Sequence, residues 1–311
     1  MTQESNLRRR LAAGAFAVTA EVTPPLTADA GALLAKAAPL KGRVDALNVT
    51  DAAGARAALG SFAAAAILAR DGIDPVLQVT CRDRNRIALV GDLLGAAAQG
   101  VGNVLVLHGD DPAGGDQPDA KPVHDLDTKG VIGLIQRMRD DGVLPSGRAI
   151  EPAPGFFIGT ADMPHDPAPD WQPTGLLAKL EAGADFVQTQ FCFDLEVVRR
   201  YLARLSDAGI PERLKILIGI GPLASARSAR WMNENLFGVS VPDAVIDRLE
   251  RAADAKTEGR RICIELMQGL REVSGVAGVH IMAPNQSLES VARVIDEAGL
   301  RGEQSVAQSV G

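Results

Sequence analysis

A strand-like run near the middle of the chain ends in two adjacent carboxylates. Residues 103–108 are mostly apolar and branched, without alternation, which is typical of a parallel strand buried on both faces. Gly109 interrupts the run, and Asp110 and Asp111 follow before Pro112. A solvated turn explains this composition as well as a functional site does. However, a carboxylate at the carboxyl end of a buried strand is also where α/β barrels and doubly wound sheets contact ligands.

Polar side chains also stand near the ends of the other predicted strands, and this repetition favours the functional interpretation. In a parallel barrel the carboxyl ends of all strands meet at one mouth, so these side chains would converge there. The candidates are Glu21, Thr50, Gln78, Thr80, Asp110, Thr160, Gln190 and His280.

Two of these residues suggest definite chemistry. Glu21 lies within an apolar strand, where a charge is costly unless it is paired or functional, and burial favours the protonated form that a general acid needs. The alternative interpretation of Glu21 is a glutamate at a strand end that already faces solvent. Gln190 offers an amide, which suits a heteroaromatic ring with an amide edge. The alternative interpretation of Gln190 is a side chain that hydrogen-bonds to the backbone of a neighbouring strand.

Strand-like runs alternate with helical patterns along the whole chain, and this predicts a single-domain (β/α)8 TIM barrel of the α/β class over residues 1–311. We expect an N-terminal helix over about residues 1–14 and an unstructured tail over residues 303–311. A doubly wound sheet is the alternative, but no G-x-G-x-x-G segment opens a helix. The long loops 110–127 and 163–173 are expected to be functional. The strands are predicted over 16–22, 46–50, 75–80, 103–108, 156–160, 186–193, 215–220 and 278–282.

Composition excludes several classes of function. The net charge is −7, no long basic run occurs, and aromatic residues make up only 4%, so nucleic-acid binding is not expected. No run reaches the roughly 18 apolar residues of a membrane span. The three cysteines have no C-x-x-C spacing, which suits a reducing cytoplasm. The histidines lack a metal-ligand pattern, so we predict no metal site.

At these residues the chain resembles the methylenetetrahydrofolate reductase family. Several blocks carry the resemblance in order: EVTPP, QVTCRDRNR, NVLVLHGDDP, AKLEAGADFVQTQFCFD and GVHIMAP. They extend from residue 21 to residue 284, and they are most similar to the shorter bacterial reductases, which have the catalytic barrel alone.

The resemblance implies an enzyme that passes hydride from NAD(P)H to FAD and then to 5,10-methylenetetrahydrofolate, giving 5-methyltetrahydrofolate, or that runs in reverse in a demethylation pathway. By resemblance, Glu21 is the general acid that protonates the folate, Asp110 acts beside the flavin and pterin, and Gln190 contacts the pterin. A homo-oligomer is compatible with the resemblance. The residues implied to contact FAD are Thr50, Gln78, His108, Gly109, Asp110, Gly159, Thr160 and Lys179.

The chain departs from the family pattern mostly at flavin contacts. Many members have an arginine where this chain has His108 or Ala178, and acidic and asparagine contacts are replaced near Gln172 and Gly175. Two alternatives therefore stay open: a reductase that works without flavin, and a non-catalytic subunit that binds folate or flavin. The sequence does not distinguish NADH from NADPH, because it contains no nucleotide fingerprint.

Overall fold

The computed structural model describes residues 4–284 and 286–300. Eight parallel strands follow one another around a closed barrel, each paired with its neighbours in the chain and β1 paired with β8. The predicted (β/α)8 TIM barrel is therefore confirmed. The strands are β1 (Ala17–Val22), β2 (Ala46–Val49), β3 (Pro75–Thr80), β4 (Asn103–Leu107), β5 (Phe157–Asp162), β6 (Phe186–Phe191), β7 (Lys215–Ile220) and β8 (Val276–Ile281).

Helices surround this barrel. In the described residues they are α1 (Asn6–Ala12), α2 (Ala30–Ala37), α3 (Ser61–Arg70), α4 (Arg86–Ala98), α5 (Thr128–Asp140), α6 (Thr174–Glu181), α7 (Leu195–Asp207), α8 (Ala226–Asn235), α9 (Asp243–Arg251), α10 (Ala255–Arg271) and α11 (Leu288–Ala298). The helix α1 lies inside the predicted N-terminal segment. The predicted tail, 303–311, lies outside the described residues. None of the described helices is long and apolar enough to span a membrane.

Successive residues of each strand face opposite sides of the barrel wall. On β1, Val18 and Ala20 belong to the core between the strands and the helices, whereas Ala17 belongs to a separate cluster inside the barrel. Thr19 also faces the interior, where it contacts β6 and β8. Glu21 shares this inner face, because it lies two residues beyond Thr19.

An apolar layer fills the lower half of the interior, and helix α1 covers it from below. Leu7 and Leu11 of this helix are buried against inward side chains of the strands. The Leu7 amide also donates to Asp74 Oδ2 at 3.1 Å. The strand residues of this layer are Ala17, Ala46, Val76, Leu105, Phe157, Phe186 and Leu217.

We expect Leu7→Ala to lower the free energy of unfolding by about 2–5 kcal/mol, the usual cost of a cavity at a fully buried leucine. Leu7 is 0% exposed. Leu26→Ala is the matched control, since Leu26 is 78% exposed and its truncation should cost no more than about 0.5 kcal/mol. Urea denaturation of both variants measures the difference. Equal stability of the two variants would show that α1 does not stabilise the barrel.

Docking of α1 should depend on pH through Asp74. Burial raises the pKa of this carboxyl from 3.8 to about 6, although hydrogen bonds from the Leu7 and Asn6 backbone and from Asn103 act in the opposite direction. Because the folded pKa exceeds the ordinary one, the stabilisation is complete below 3.8 and is lost as the pH rises through about 6. Hydrogen exchange should therefore show a lower protection factor for the Leu7 amide at pH 7.5 than at pH 5. A higher factor at pH 7.5 would contradict this.

Several boundaries differ from those predicted. Helix α3 begins at Ser61 rather than near residue 55, because Ala52 and Ala55 adopt positive φ angles of 50° and 53° that a helix does not accept. Helix α10 begins at Ala255, where the Asp254 side chain accepts from the Lys256 amide as an N-cap. Strand β5 continues to Asp162, two residues beyond the predicted end.

Candidate active site

A polar layer lies above the apolar one inside the barrel. Asn48 Nδ2 donates to Gln188 Oε1 at 2.6 Å, and Gln188 Nε2 donates to Thr19 Oγ1 at 3.0 Å. Thr19 Oγ1 lies 3.0 Å from His280 Nδ1. All four side chains are buried, so each needs the partners that the others provide. The network joins β1, β2, β6 and β8 into one floor beneath the mouth.

Glu21 lies at the edge of this floor, near the carboxyl end of β1. Its Oε2 is 3.8 Å from His280 Nε2, and its side chain is 21% exposed. The carboxyl group is thus partly covered by the barrel and partly open to the mouth. This position suits a group that exchanges a proton with a ligand above it.

Asp51, directly after β2, is the most heavily bonded carboxylate of the mouth. It accepts hydrogen bonds from the backbone and hydroxyl of Thr80 and from the hydroxyl of Ser61. The Arg84 guanidinium donates to both of its oxygens, at 2.7 and 3.2 Å. Asp51 therefore joins the loops that follow β2 and β3.

These contacts also set the ionisation of Asp51. Burial alone would raise its pKa, but the hydrogen bond and charge of Arg84, helped by Thr80 and Ser61, outweigh burial and lower the pKa below 3.8. Asp51 is thus a carboxylate near neutral pH, bound to a cation. It is a structural anchor of the mouth rather than a proton donor.

The loop after β4 is held against the loop after β2. Asp110 Oδ2 accepts from the Gly54 amide at 2.7 Å, and the Asp116 carboxylate accepts from the Ala57 amide. Arg82, which is buried, donates to the backbone carbonyl of Asp110 at 3.0 Å. Asp110 nevertheless remains exposed, so its carboxylate can meet a ligand as well as the loop.

Gly109 makes this approach of the loops feasible. Its φ of 95° favours glycine, and a Cβ there would lie 2.9 Å from Arg82 Cβ and 3.2 Å from Thr80 Cβ. The neighbouring His108 is exposed and stacks on His124, with ring centroids 4.6 Å apart. The two rings form a flat edge at this side of the mouth.

Gln190 lies near the end of β6, at an irregularity in the strand pairing. Gln188 pairs with Leu217, and Phe191 pairs with Gly219. An advance of three residues along β6 therefore matches an advance of two along β7, which is a β-bulge in β6. The bulge requires glycine at 219, because a Cβ there would lie 2.1 Å from a β6 carbonyl oxygen. Gln190 Oε1 accepts from the Phe191 amide at 3.0 Å, and its side chain is partly exposed.

Three further predicted residues lie in the upper half of the barrel, at or near the mouth. Thr50 faces the interior two residues beyond Asn48, and its buried hydroxyl has no hydrogen-bond partner among the described atoms. Lys179 Nζ donates to the Ala161 carbonyl, near the end of β5, at 2.6 Å. Gln78 is buried on the inner face of β3, level with the upper half of the strand.

The structure corrects the prediction for Thr160 and Gly159. Thr160 pairs with Val106 and follows Ile158, both in the core between strands and helices, so its side chain points away from the mouth. Gly159 faces inward but lies in the lower layer, where a Cβ would come within 2.3 Å of the Phe186 ring. When a buried strand shows no alternation, its sequence does not indicate which side chains face the barrel interior. The prediction therefore placed both residues wrongly.

The sequence reasoning missed Asp51, Arg82 and Arg84 as parts of the mouth. Arg82 and Arg84 lie in the block QVTCRDRNR, and Asp51 follows Thr50, but nothing in their spacing shows that they meet. It also missed Thr19, Asn48 and Gln188 as the polar floor. The available signal was a polar residue two positions before Glu21, Thr50 and Gln190.

Glu21, Asp110 and Gln190 therefore share one rim, at the carboxyl ends of β1, β4 and β6. The fold and this rim define a (β/α)8-barrel protein whose candidate site lies where such barrels carry out their chemistry. The sequence profile of the methylenetetrahydrofolate reductase family matches residues 6–299. The chain belongs to this family.

Curated relatives agree with the family assignment. The chain is 28% identical over 248 residues to a Caenorhabditis elegans protein named probable methylenetetrahydrofolate reductase (NADPH), covering 77% of this chain and 34% of the relative. It is 26% identical over 231 residues to the 5,10-methylenetetrahydrofolate reductase of Salmonella typhimurium, covering 72% and 70%. The chain thus spans about a third of the length of the nematode relative.

Solved structures support the fold. A Clostridium thermocellum protein described as binding two copies of 5-methyl-5,6,7,8-tetrahydrofolic acid superposes with a TM-score of 0.60 at 13% identity, covering 94% of this chain and 98% of that protein. DmoA from Hyphomicrobium sulfonivorans gives a TM-score of 0.53 at 12% identity, covering 90% and 86%. At these identities the likeness concerns the barrel alone.

Proposed function

We propose that this protein is a methylenetetrahydrofolate reductase that interconverts 5,10-methylenetetrahydrofolate and 5-methyltetrahydrofolate with NAD(P)H as the ultimate hydride source. Family membership supports the reaction class. The observation that carries the proposal is the placement of Glu21. Its carboxyl is open to the mouth, rests on a polar floor, and lies 3.8 Å from a histidine nitrogen.

The residues at the mouth have distinct roles in this proposal. Glu21 delivers a proton to the folate ring nitrogen, so that the bridging one-carbon unit opens to an iminium that can accept hydride. Gln190 presents an amide that can pair with the polar edge of the pterin if it releases the Phe191 amide. Asp110 contributes a carboxylate beside the same ring. Its bond to Gly54 keeps that carboxylate in place.

A flavin dinucleotide, which the family implies, fits the bonding groups that remain at the mouth. Thr50 has a buried hydroxyl without a described partner, and Lys179 has an ammonium group bonded to a carbonyl oxygen. These would hold a hydroxyl or phosphate oxygen of the cofactor. When bound, the flavin supplies hydride transfer between nicotinamide and folate.

The experiment that tests the proposed function is direct. The purified chain, with added FAD, is incubated with NADH or NADPH and 5,10-methylenetetrahydrofolate, and 5-methyltetrahydrofolate is measured by mass spectrometry. Formation of the product at a rate proportional to protein concentration supports the proposal. No product with either nucleotide would contradict it and would favour a subunit that binds folate without turnover.

We expect Asp110→Asn to raise KM for the folate about tenfold, because a charge-assisted hydrogen bond becomes a neutral one, a loss on the order of 1.4 kcal/mol. If flavin is bound, its reduction potential should rise, since a nearby negative charge disfavours the anionic reduced form. Asparagine can still accept from Gly54, so the loop should keep its conformation. Steady-state kinetics and a redox titration measure the two effects.

Asp111→Asn is the matched control for this change. Asp111 is exposed and accepts from the Ala113 amide, and asparagine can do the same. It should leave both the KM and the potential unchanged. If the two variants behave alike, the effect comes from the net charge of the loop and Asp110 has no specific role.

A reductase without flavin is the second candidate, and the loss of cationic side chains at the implied flavin contacts favours it. His108 and Ala178 stand where many family members have an arginine, so two positive charges that could pair with the flavin phosphates are missing. The visible spectrum of the purified protein decides between the candidates. Flavin absorbance supports the first, whereas a colourless protein that forms product without added FAD supports the second.

A further inference from the structure

Hydrogen bonds of the polar floor lead from Gln188 through Thr19 toward the residues beside Glu21. Asn48 donates to Gln188 at 2.6 Å, and Gln188 donates to Thr19 at 3.0 Å. Gln188 Nε2 also donates back to Asn48 Oδ1 at 3.1 Å, and this reciprocal pairing fixes the orientation of both amides. Thr19 Oγ1 receives this donor and has one proton left to give.

The proton of Thr19 has two acceptors within reach. His280 Nδ1 is at 3.0 Å, and the Val279 carbonyl oxygen is at 3.2 Å. Donation to the nearer Nδ1 leaves the proton of a neutral His280 on Nε2. That nitrogen faces Glu21 Oε2 at 3.8 Å. The series of donors then runs from Gln188 through Thr19 and His280 toward Glu21, and hydrogen bonds aligned in this way strengthen one another.

Other charged groups around the mouth have partners of their own. Asp51 is bound by Arg84, Asp110 by the Gly54 amide, and Lys179 by the Ala161 carbonyl. Lys36 of α2 donates to the Thr23 carbonyl after β1. Within the part of the chain that the structure describes, Glu21 is the only acidic side chain with a carboxyl oxygen within 4.0 Å of a His280 ring nitrogen.

We infer that His280 is a positioning residue for Glu21, held by Thr19 as the neutral Nε2–H tautomer. The inference deepens the proposed function and rests on it. The 3.8 Å separation exceeds a direct hydrogen bond, and it is the kind of gap that closes when a substrate is bound. His280 Nε2–H then donates to Oε2, so the transferable proton resides on the other oxygen of Glu21.

The proton transfer balances within this arrangement. The O–H bond of Glu21 breaks, an N–H bond forms on the folate nitrogen, and the negative charge stays on the Glu21 carboxylate. The His280 Nε2–H bond remains intact throughout. Its hydrogen bond strengthens as the carboxylate forms, so His280 stabilises the charge that develops in the transition state. A donor already in place needs no reorganisation at that moment.

Nuclear magnetic resonance tests the tautomer without requiring any activity. Long-range proton–nitrogen correlations of imidazole distinguish Nε2–H from Nδ1–H in protein labelled with ¹⁵N at histidine. We expect His280 to be Nε2–H in the wild type and in Thr19→Ser, and to be a mixture of tautomers in Thr19→Val, which lacks the hydroxyl. An Nδ1–H tautomer in the wild type would overturn the inference, whether or not the protein reduces folate.

Kinetics test the positioning role. His280→Leu should lower kcat for folate reduction about 10- to 100-fold and leave KM nearly unchanged, while oxidation of reduced nicotinamide by an artificial acceptor persists. His280→Gln places an amide N–H near the position of Nε2 and should recover most of the loss. Equal losses in the leucine and glutamine variants, or equal loss of both activities, would show a structural role only. Circular dichroism verifies that each variant is folded.

Discussion

Replacing Glu21 by glutamine should nearly abolish reduction of 5,10-methylenetetrahydrofolate while leaving the oxidation of reduced nicotinamide intact. The isosteric amide keeps the volume at the end of β1 but has no acidic proton to give. General acid catalysis contributes about 10²- to 10⁴-fold, so we expect a fall in kcat of at least about 10²-fold. Oxidation of NAD(P)H by an artificial acceptor needs no proton from this group and should stay within about threefold of wild type.

The two activities are measured on the same preparation, which separates a chemical defect from poor folding. Glu272→Gln provides the matched control, because Glu272 is an exposed residue that caps the end of α10. It should leave both activities unchanged. If Glu21→Gln lowers both activities in parallel, Glu21 acts on the whole mouth and is not the proton donor.

Replacing Asp51 by asparagine should be the most destabilising polar change at the mouth. The substitution leaves the Arg84 cation partly buried and without its closest anion, and breaking a buried ion pair from one side costs about 3–5 kcal/mol. Asparagine also loses one of the oxygens that bind Thr80 and Arg84. We expect a matching fall in the free energy of unfolding and the loss of both enzymatic activities, since two loops lose their common anchor.

Asp92 supplies an internal control, because it pairs with the same arginine. Arg84 Nε lies 3.0 Å from Asp92, whose side chain is 44% exposed, whereas that of Asp51 is 4% exposed. Asp92→Asn should cost at most about 1 kcal/mol, as exposed ion pairs do. The double variant Asp51→Asn with Arg84→Met should be less destabilised than the sum of its parts. Full additivity would show that the pair is not coupled.

The pH dependence of stability should also show the contribution of the Asp51 carboxylate. The pKa of Asp51 lies below its ordinary 3.8, since Arg84 and the hydroxyl donors outweigh burial. A depressed folded pKa contributes stability above the unfolded value, and this contribution is lost as the pH falls through the folded one. Asp51→Asn removes that part of the acid sensitivity, so the variant and wild type should become more alike in stability toward low pH.

The fold could be read from the sequence because its signals are local. Eight apolar runs separated by helical patterns leave few arrangements for a chain of this length, and a closed parallel barrel is one of them. Glu21 was placed correctly for a similar reason. A single acidic residue in an apolar strand marks both the strand and its exposed end, and β1 alternates enough to show its inner face.

Other positions could not be read from the sequence, because they depend on which face a strand turns inward. In β5 both faces are apolar, so Thr160 and Gly159 gave no sign of their orientation, and the barrel placed one outward and the other beneath Phe186. Gln190 shows the same dependence in another form. The bulge beside Gly219 turns its amide onto the Phe191 backbone, and a bulge leaves no mark in a run such as FVQTQF.

Sequence by itself determined the class of fold, the rim at which polar groups collect, and the family to which the chain is related. Only the tertiary structure decided which polar groups meet: Asp51 with Arg84, 33 residues away, and Thr19 with His280, 261 residues away. Periodicity reports how one segment divides between core and solvent. Closure of the barrel brings distant strands side by side, and a hydrogen bond between them depends on angstrom-scale register that no single segment contains.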